Sequence, residues 1–370
     1  MKLSFTRPRS LMPMLVGVAL VLVMGLWGCS ETADTPMAPD RSDVGTWSLA
    51  NPQLQSVMAI QNLHTARLMA QPNVIGTATT LDDNGQPAVM LLVTSDAAKA
   101  AAPTVLDGVP VVVVLTDPIV AFKTTTTVSH IAKQIPPIKL GTSGGWRSDL
   151  ANGYCCGGTL GSLIQVGTQK RILSNYHVFE ADIVAGGNAV VAATGDYIIQ
   201  PGLIDVNCSA ASAQNVATLV KTSSLPNNNV DCSSATIVTG MVDLTGAILE
   251  VGTISATTVA ASVGQLVKKS GRTTGLTRSS VTGLNATISI QYENECAGGV
   301  AFTKTFTGQI VIANSRSKFL AGGDSGSLLV QDITTNPKAV GLLFAGSTTT
   351  AIANPINSVL SFFGATMVGI

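Results

Sequence analysis

The stretch "AGGDSGSLLV", residues 321–330, places Ser325 directly after Asp324, with Gly323 and Gly326 on either side. A serine hydroxyl is a poor nucleophile at neutral pH. It attacks a carbonyl only when a base takes its proton and an acid orients that base. Small residues also crowd ordinary turns, so Ser325 acquires meaning only from partners elsewhere. The β-rich part of the chain holds one histidine, His177 in "RILSNYHVF". The stretch before it reads as a strand ending in polar residues, which sets His177 at the strand end or in the following loop, where catalytic groups are usually displayed. Between His177 and Ser325 lie Asp182, Asp196, Asp205, Asp231 and Asp243. Asp231, in "NNNVDCSSATIV", sits where a polar loop enters a strand and is best placed to grip an imidazole N–H. Asp243, in "GMVDLTG", is second, while Asp182 and Asp205 read as solvated loop residues. The chemistry open to such a set is acyl transfer, with the serine as nucleophile and the histidine carrying its proton.

These residues need a frame. From Trp146 onward, short β-branched runs alternate with Gly, Asn and Ser turns, giving about ten strand candidates and hardly a helical pattern until "NSVLSFFG". Many short strands at that spacing predict an all-β region, and two closed six-stranded barrels fit its length. Ahead of it, Leu54, Val57, Met58, Ile60 and Leu63 recur at helical spacing, with Pro72 ending the run. Strand patterns over 74–80 and 88–94, a short helix in "DAAKAAA" and the apolar run "VPVVVVLT" come next. Residues 51–124 therefore predict a small α/β sandwich without chemistry of its own; His64 in its helix packs or faces solvent. Residues 125–145, with a Pro-Pro pair, a glycine cluster and His130, read as a linker to the β domain at 146–370.

Composition narrows the partners. The chain has 370 residues, 46% hydrophobic and 11% charged, with zero formal net charge. That leaves no electrostatic footprint for nucleic acid. Lys2, Arg7 and Arg9 precede an apolar run over 11–26 that ends in "LWGC". A basic region, a short apolar stretch and a small residue predict an export signal. The ending resembles a bacterial lipobox, which implies cleavage after residue 28, a lipid on Cys29 and a polar tether over 29–50 at a membrane of the cell envelope. No later segment is long and apolar enough to span a bilayer. Export permits disulfides. Five cysteines remain, Cys155, Cys156, Cys208, Cys232 and Cys296. Cys208 and Cys232 bracket one polar loop and are the favoured pair, and one of the vicinal pair Cys155–Cys156 is expected to reach Cys296. Paired Cys-x-x-Cys knuckles are missing and the chain has only three histidines, so no metal or other cofactor is expected.

The order His177, Asp231, Ser325 and the wide gaps between them resemble the trypsin-like serine peptidases of the chymotrypsin fold. "SNYHVF" resembles that family's histidine motif and "GGDSGS" its nucleophile motif. "KKSGRTTGLTRSSV" is similar to a segment of the bacterial streptogrisin-like branch, and "VGLLFAGS" resembles the strand beside the bound substrate. The resemblance covers roughly 146–370 and implies a double six-stranded β-barrel acting on a peptide or protein substrate. It makes Ser325 the nucleophile, His177 the general base and Asp231 the group holding the histidine's tautomer. It also makes the backbone N–H groups of Gly323 and Ser325 the oxyanion hole. Asp324 would be buried and paired with an internal cation, Lys269 first and Arg272 second. Several positions depart from the family pattern: Val178 follows the histidine, Ser327 replaces a glycine, and Phe344 stands where a serine is usual on the substrate strand. With Phe319 six residues before the nucleophile, no acidic pocket base is expected, which implies a preference for small or apolar side chains. The domain before the linker would be a folding aid or inhibitor. These departures also leave open a binding protein of the same fold.

Overall fold

The computed structural model describes residues 47–119, 129–151, 154–180, 192–292 and 302–370. The strand Gly275–Tyr292 is the longest element of the C-terminal half. Over its last stretch Leu284, Ala286, Ile288, Ile290 and Tyr292 are buried while the residues between them are not. That is the two-residue period of a strand with one face on a core. This strand pairs with Leu266–Gly271 on one side and Phe302–Ala313 on the other. The ring continues through Thr350–Pro355, Ala339–Gly346 and Leu328–Gln331, and returns to Leu266–Gly271. Six antiparallel strands thus close on themselves.

A second ring lies N-terminal to it. Thr142–Trp146 pairs with Gly158–Leu160, and the chain bends at Gly161 into Ser162–Val166. A Cβ at Gly161 would sit 2.0 Å from the Gly326 carbonyl oxygen, so only glycine permits this close approach. Ser162–Val166 pairs with Gln169–Ser174, then come Ser233–Ile237, Gln214–Val220 and Tyr197–Gln200, which returns to Thr142–Trp146. The fold is therefore the double six-stranded β-barrel of the trypsin-like proteins. Closure pairs the strands of each ring on both sides, except that the long strand runs past its Leu266–Gly271 partner at Ser280 and keeps an edge beyond it. One apolar cluster joins the rings: Leu163, Ile172, Val178 and Ala217 of the first group with Leu328, Leu342 and the C-terminal helix residues Ile356 and Val359.

The N-terminal elements come in the expected order. Asn51 caps the helix Pro52–Met69, its side chain accepting from the Gln53 and Leu54 amides, and Pro52 opens the helix where no N–H is needed. Leu54, Val57 and Leu68 are buried, but Leu63 is 72% exposed and lies off the inner face. Strands Val74–Leu81 and Pro87–Val93 are antiparallel, and Val109–Leu115 runs parallel to the latter after the helix Asp96–Ala101. Val74–Leu81 also pairs antiparallel with Gly275–Tyr292, with Gly76 opposite Ile288 and Thr79 opposite Leu284. The long barrel strand thus offers its edge to the N-terminal strands, and they form one continuous sheet. Within 129–145, Ile138 and Leu140 are buried against the barrel core. His130 contacts the Gly141 carbonyl and the Glu250 carboxylate through its two ring nitrogens. The export signal, Cys29 and the tether up to residue 46 lie outside the described residues. No helix among the described residues is long and apolar enough to cross a membrane.

Candidate active site

After the strand Gln169–Ser174 the chain makes one helical turn, Tyr176–Phe179, which carries His177. Asn175 fixes this turn by donating its side-chain amide to the Asp231 carbonyl at 2.7 Å. His177 Nδ1 lies 2.6 Å from Asp231 Oδ2. Both side chains are essentially sealed from solvent, at 1% and 0% exposure. A buried carboxylate is costly unless its lone pairs are occupied, and those of Asp231 are. Oδ1 accepts the Tyr176 N–H at 2.7 Å and, more distantly, the His177 N–H at 3.4 Å. Oδ2 also accepts the Tyr292 hydroxyl at 2.8 Å. The Asp231 N–H donates to Asn354 Oδ1. His177 Nε2, the far side of the ring, is buried with no hydrogen-bond partner among the described residues.

Ser325 comes from the second barrel. Its carbonyl accepts the Thr159 N–H at 2.9 Å, and Thr159 Oγ1 donates to the Gly323 carbonyl at 2.9 Å. One residue of the first barrel thus holds both ends of the serine loop. A Cβ at Gly158 would meet the Ser325 carbonyl oxygen at 2.9 Å and Val178 Cγ2 at 2.6 Å, so Ser325 and the residue after His177 border the same glycine. Ser325 Oγ donates to the Phe344 carbonyl at 3.4 Å. Gly323 has φ +91°, and a Cβ there would collide with Thr273 Oγ1 and Arg272 Nη1. Both the backbone and the space require glycine at this position.

Asp324 is fully buried and pairs with Lys269 Nζ at 3.1 Å. Its Oδ1 accepts the Thr273 and Thr274 N–H groups, and its Oδ2 accepts the Ala321 N–H and Thr274 Oγ1. Burial pushes the Lys269 ammonium below the usual lysine range, and the Asp324 carboxylate pulls it part of the way back. Arg272 sends Nε and Nη2 to the two oxygens of Asp205, at 2.7 and 2.5 Å. Asp205 also accepts Ser143 Oγ at 2.5 Å. The solvated reading of Asp205 is therefore corrected. A planar guanidinium fork matches a carboxylate edge, and that match draws Asp205 into the loop interior. Among the other aspartates, Asp196 accepts the Trp146 indole N–H at 3.1 Å. Asp243 closes an exposed turn through Thr245, whose backbone N–H above all holds its carboxyl below the usual range. Asp182 lies outside the described residues.

The expected Cys208–Cys232 disulfide does not form. Cys208 pairs with Cys155, and Cys232 is a free, fully buried thiol. Proximity in sequence misleads here: Cys232 enters the barrel wall beside Asp231 and turns into the core, whereas Cys208 stays in the loop packed near Leu203. Burial first, and then the Asp231 charge, raise the Cys232 thiol well above its ordinary range. Cys156 is also disulfide-bonded. Cys296 lies outside the described residues.

Two features have no counterpart in the sequence motifs. Tyr292 supplies a hydroxyl to Asp231, while Phe344, standing where a serine is the family expectation, is buried and packs its ring 5.0 Å from Phe306. The clue is in the sequence: Tyr292 falls in phase with the inward residues of its strand, and a buried phenol needs a polar partner. Second, residues 116–119 lie against the end of the strand Ala339–Gly346 and the turn at 347–349. Thr116 Oγ1 is 2.7 Å from Ser347 Oγ and accepts from Thr349 Oγ1, and Thr348 Oγ1 donates to Asp117. Ile119, 2% exposed, joins the apolar cluster of Tyr176, Leu225, Tyr292, Phe344 and Ala345, and its carbonyl accepts the Gln291 N–H.

Residues 205–354 match the Nal1 C-terminal domain family. No curated protein matches the chain. Among solved structures the chain is similar to a glutamic acid specific serine protease, at 19% identity over 62% of this chain and 100% of that one, with a TM-score of 0.42. It is also similar to Thermobifida fusca Protease A, at 20% identity over 63% and 99% with a TM-score of 0.41. A third is the chymotrypsin of Cellulomonas bogoriensis, at 21% identity over 57% and 91% with a TM-score of 0.37.

Proposed function

We propose that the chain is an exported serine endopeptidase that cleaves peptides or proteins through an acyl-enzyme. The observation that carries this reading is the buried Asp231–His177 couple with Nε2 unpaired, together with Gly158, which both Val178 and the Ser325 carbonyl border. In this mechanism His177 Nε2 takes the Ser325 hydroxyl proton as Oγ attacks the scissile carbonyl. Asp231 keeps the Nδ1–H tautomer and stabilises the imidazolium that forms. The Gly323 and Ser325 N–H groups stabilise the oxyanion, and each such donor is worth about 10²–10³ in rate. His177 then protonates the leaving amine, and water repeats the sequence on the ester. Every step uses side chains and backbone, so no cofactor is invoked. The Lys269–Asp324 pair supports the loop that presents these donors.

The Cys155–Cys208 disulfide suits an oxidising compartment, in keeping with an export signal over 1–28 and a lipid on Cys29. Phe319, buried and not acidic, supports a preference for small or apolar side chains. The N-terminal segment acts in this reading as an inhibitor that is released by cutting the linker ahead of the buried Ile138, supported by Ile119 in the cluster around Tyr176 and Phe344. A second reading, a peptide-binding protein of the same fold, is favoured by one contact: Ser325 Oγ donates to the Phe344 carbonyl. A peptide library separates the two. Cleavage after small or apolar residues, lost in Ser325→Ala, supports the enzyme. Cleavage that survives Ser325→Ala refutes it, and a clear preference for Arg or Lys refutes the pocket assignment.

A further inference from the structure

We infer that Tyr292 is a positioning residue for the His177–Asp231 couple, doing through its phenol what no other side-chain hydroxyl near Asp231 does among the described contacts. The inference rests on the reading of His177 as general base. Tyr292 OH donates to Asp231 Oδ2 at 2.8 Å, the same oxygen that His177 Nδ1 approaches at 2.6 Å. Two donors on one oxygen divide its charge between them. The other oxygen is held by the Tyr176 and His177 amides, so it takes these and the phenol together to fix the carboxylate in its plane. The phenol is fixed in turn. Tyr292 is 1% exposed on a strand buried on that face, its ring 6.5 Å from Phe306 and edge-on to the imidazole at 6.0 Å. Phe306 packs on Phe344, which brings no hydroxyl. The strand Gly275–Tyr292 belongs to the second barrel, whereas His177 and Asp231 stand on the first. Tyr292 therefore ties the couple across the junction to the barrel that carries Ser325.

The titratable groups around the carboxylate are His177, Tyr292, Cys232 and, further off, Glu180, which is held by Ser233 Oγ and the Thr222 and Ser223 amides. Of these, Tyr292 is the neutral donor whose removal leaves the volume unchanged. Taking its hydroxyl away concentrates charge on Oδ2 and strengthens the Nδ1–H···Oδ2 bond while loosening the carboxylate's orientation.

The test uses the full chain with Tyr292→Phe and two readouts. One is the downfield proton resonance of His177 Nδ1, assigned by its disappearance in Asp231→Asn. The other is the rate of covalent labelling by a fluorophosphonate. The resonance should move further downfield in Tyr292→Phe, and labelling should slow by about tenfold, as expected for losing one hydrogen bond to a charged group. Placing 3-fluorotyrosine at 292, a stronger donor of nearly the same shape, should move the resonance the opposite way and restore labelling. A resonance unchanged in both variants overturns the inference. If the parent chain does not react with the probe, the catalytic reading fails, and the resonance still decides whether Tyr292 tunes the couple.

Discussion

Replacing Lys269 by methionine removes the only cation paired with Asp324 among the described contacts. Removing one member of a buried ion pair costs about 3–5 kcal/mol, because the remaining charge stays buried. Asp324 keeps three N–H donors and the Thr274 hydroxyl, which sets the expected loss near the lower end, about 3 kcal/mol. Unfolding entropy is about 2.1 cal/mol/K per residue, so for some 320 residues the loss lowers Tm by roughly 4–5 °C. The loop that Asp324 anchors carries both proposed oxyanion donors, so fluorophosphonate labelling should fall along with Tm. The double variant Lys269→Met, Asp324→Asn removes the orphaned charge but turns an amide NH2 toward backbone N–H groups that now meet a carboxylate oxygen, so it should recover only part of the Tm. Scanning calorimetry of the full chain with intact-mass labelling measures both. Lys269→Met with parental Tm and parental labelling would show that the pair holds nothing in place. Arg272→Met tests the division of labour. It should disturb the Asp205 loop and leave the Lys269–Asp324 pair in place.

Cys232 should resist thiol reagents in the folded chain at pH 8 and react once in denaturant, checked by mass. Its thiol is raised, so between the ordinary thiol value near pH 8.5–9 and the higher folded value the folded state keeps a proton that the unfolded state has lost. This group's contribution to stability is therefore intact below that window and falls as pH climbs through it. A folded chain alkylated at pH 8 would contradict this. Ile119→Asp puts a charge into the cluster of Tyr176 and Phe344; it should release the segment and speed probe labelling several-fold, whereas unchanged labelling of a folded variant would remove the inhibitor assignment.

Much of the frame is legible in the sequence because closed barrels write a regular alternation of short β-branched runs and turns. The order of His177, Asp231 and Ser325 is legible because the motifs around each are short and local. Asp231 can be chosen over Asp243 because a strand entrance buries its first residues, and the structure seats Asp231 there. The pairing of cysteines is not legible. Cys208 and Cys232 are close in sequence but one stays in a loop while the other enters the barrel core, and nothing in their spacing encodes that. Asp205 reads as solvated because its partner Arg272 lies 67 residues away. The shared sheet between Val74–Leu81 and Gly275–Tyr292 is hidden for the same reason, since register between distant strands depends on which edge of the long strand the fold leaves free. Tyr292 stands in phase with its strand, but only the fold reveals that its phase ends on the Asp231 carboxylate.

Activation of Ser325 by His177 is the step on which the peptidase reading depends. Covalent labelling of the full chain by a fluorophosphonate probes it without a known substrate, beside Ser325→Ala and His177→Ala, read by intact mass before and after limited proteolysis of the linker ahead of Ile138. One adduct per chain is expected, absent from both variants and faster to form after the cut. No adduct under either condition, or an adduct that persists in Ser325→Ala, would remove Ser325 as the nucleophile.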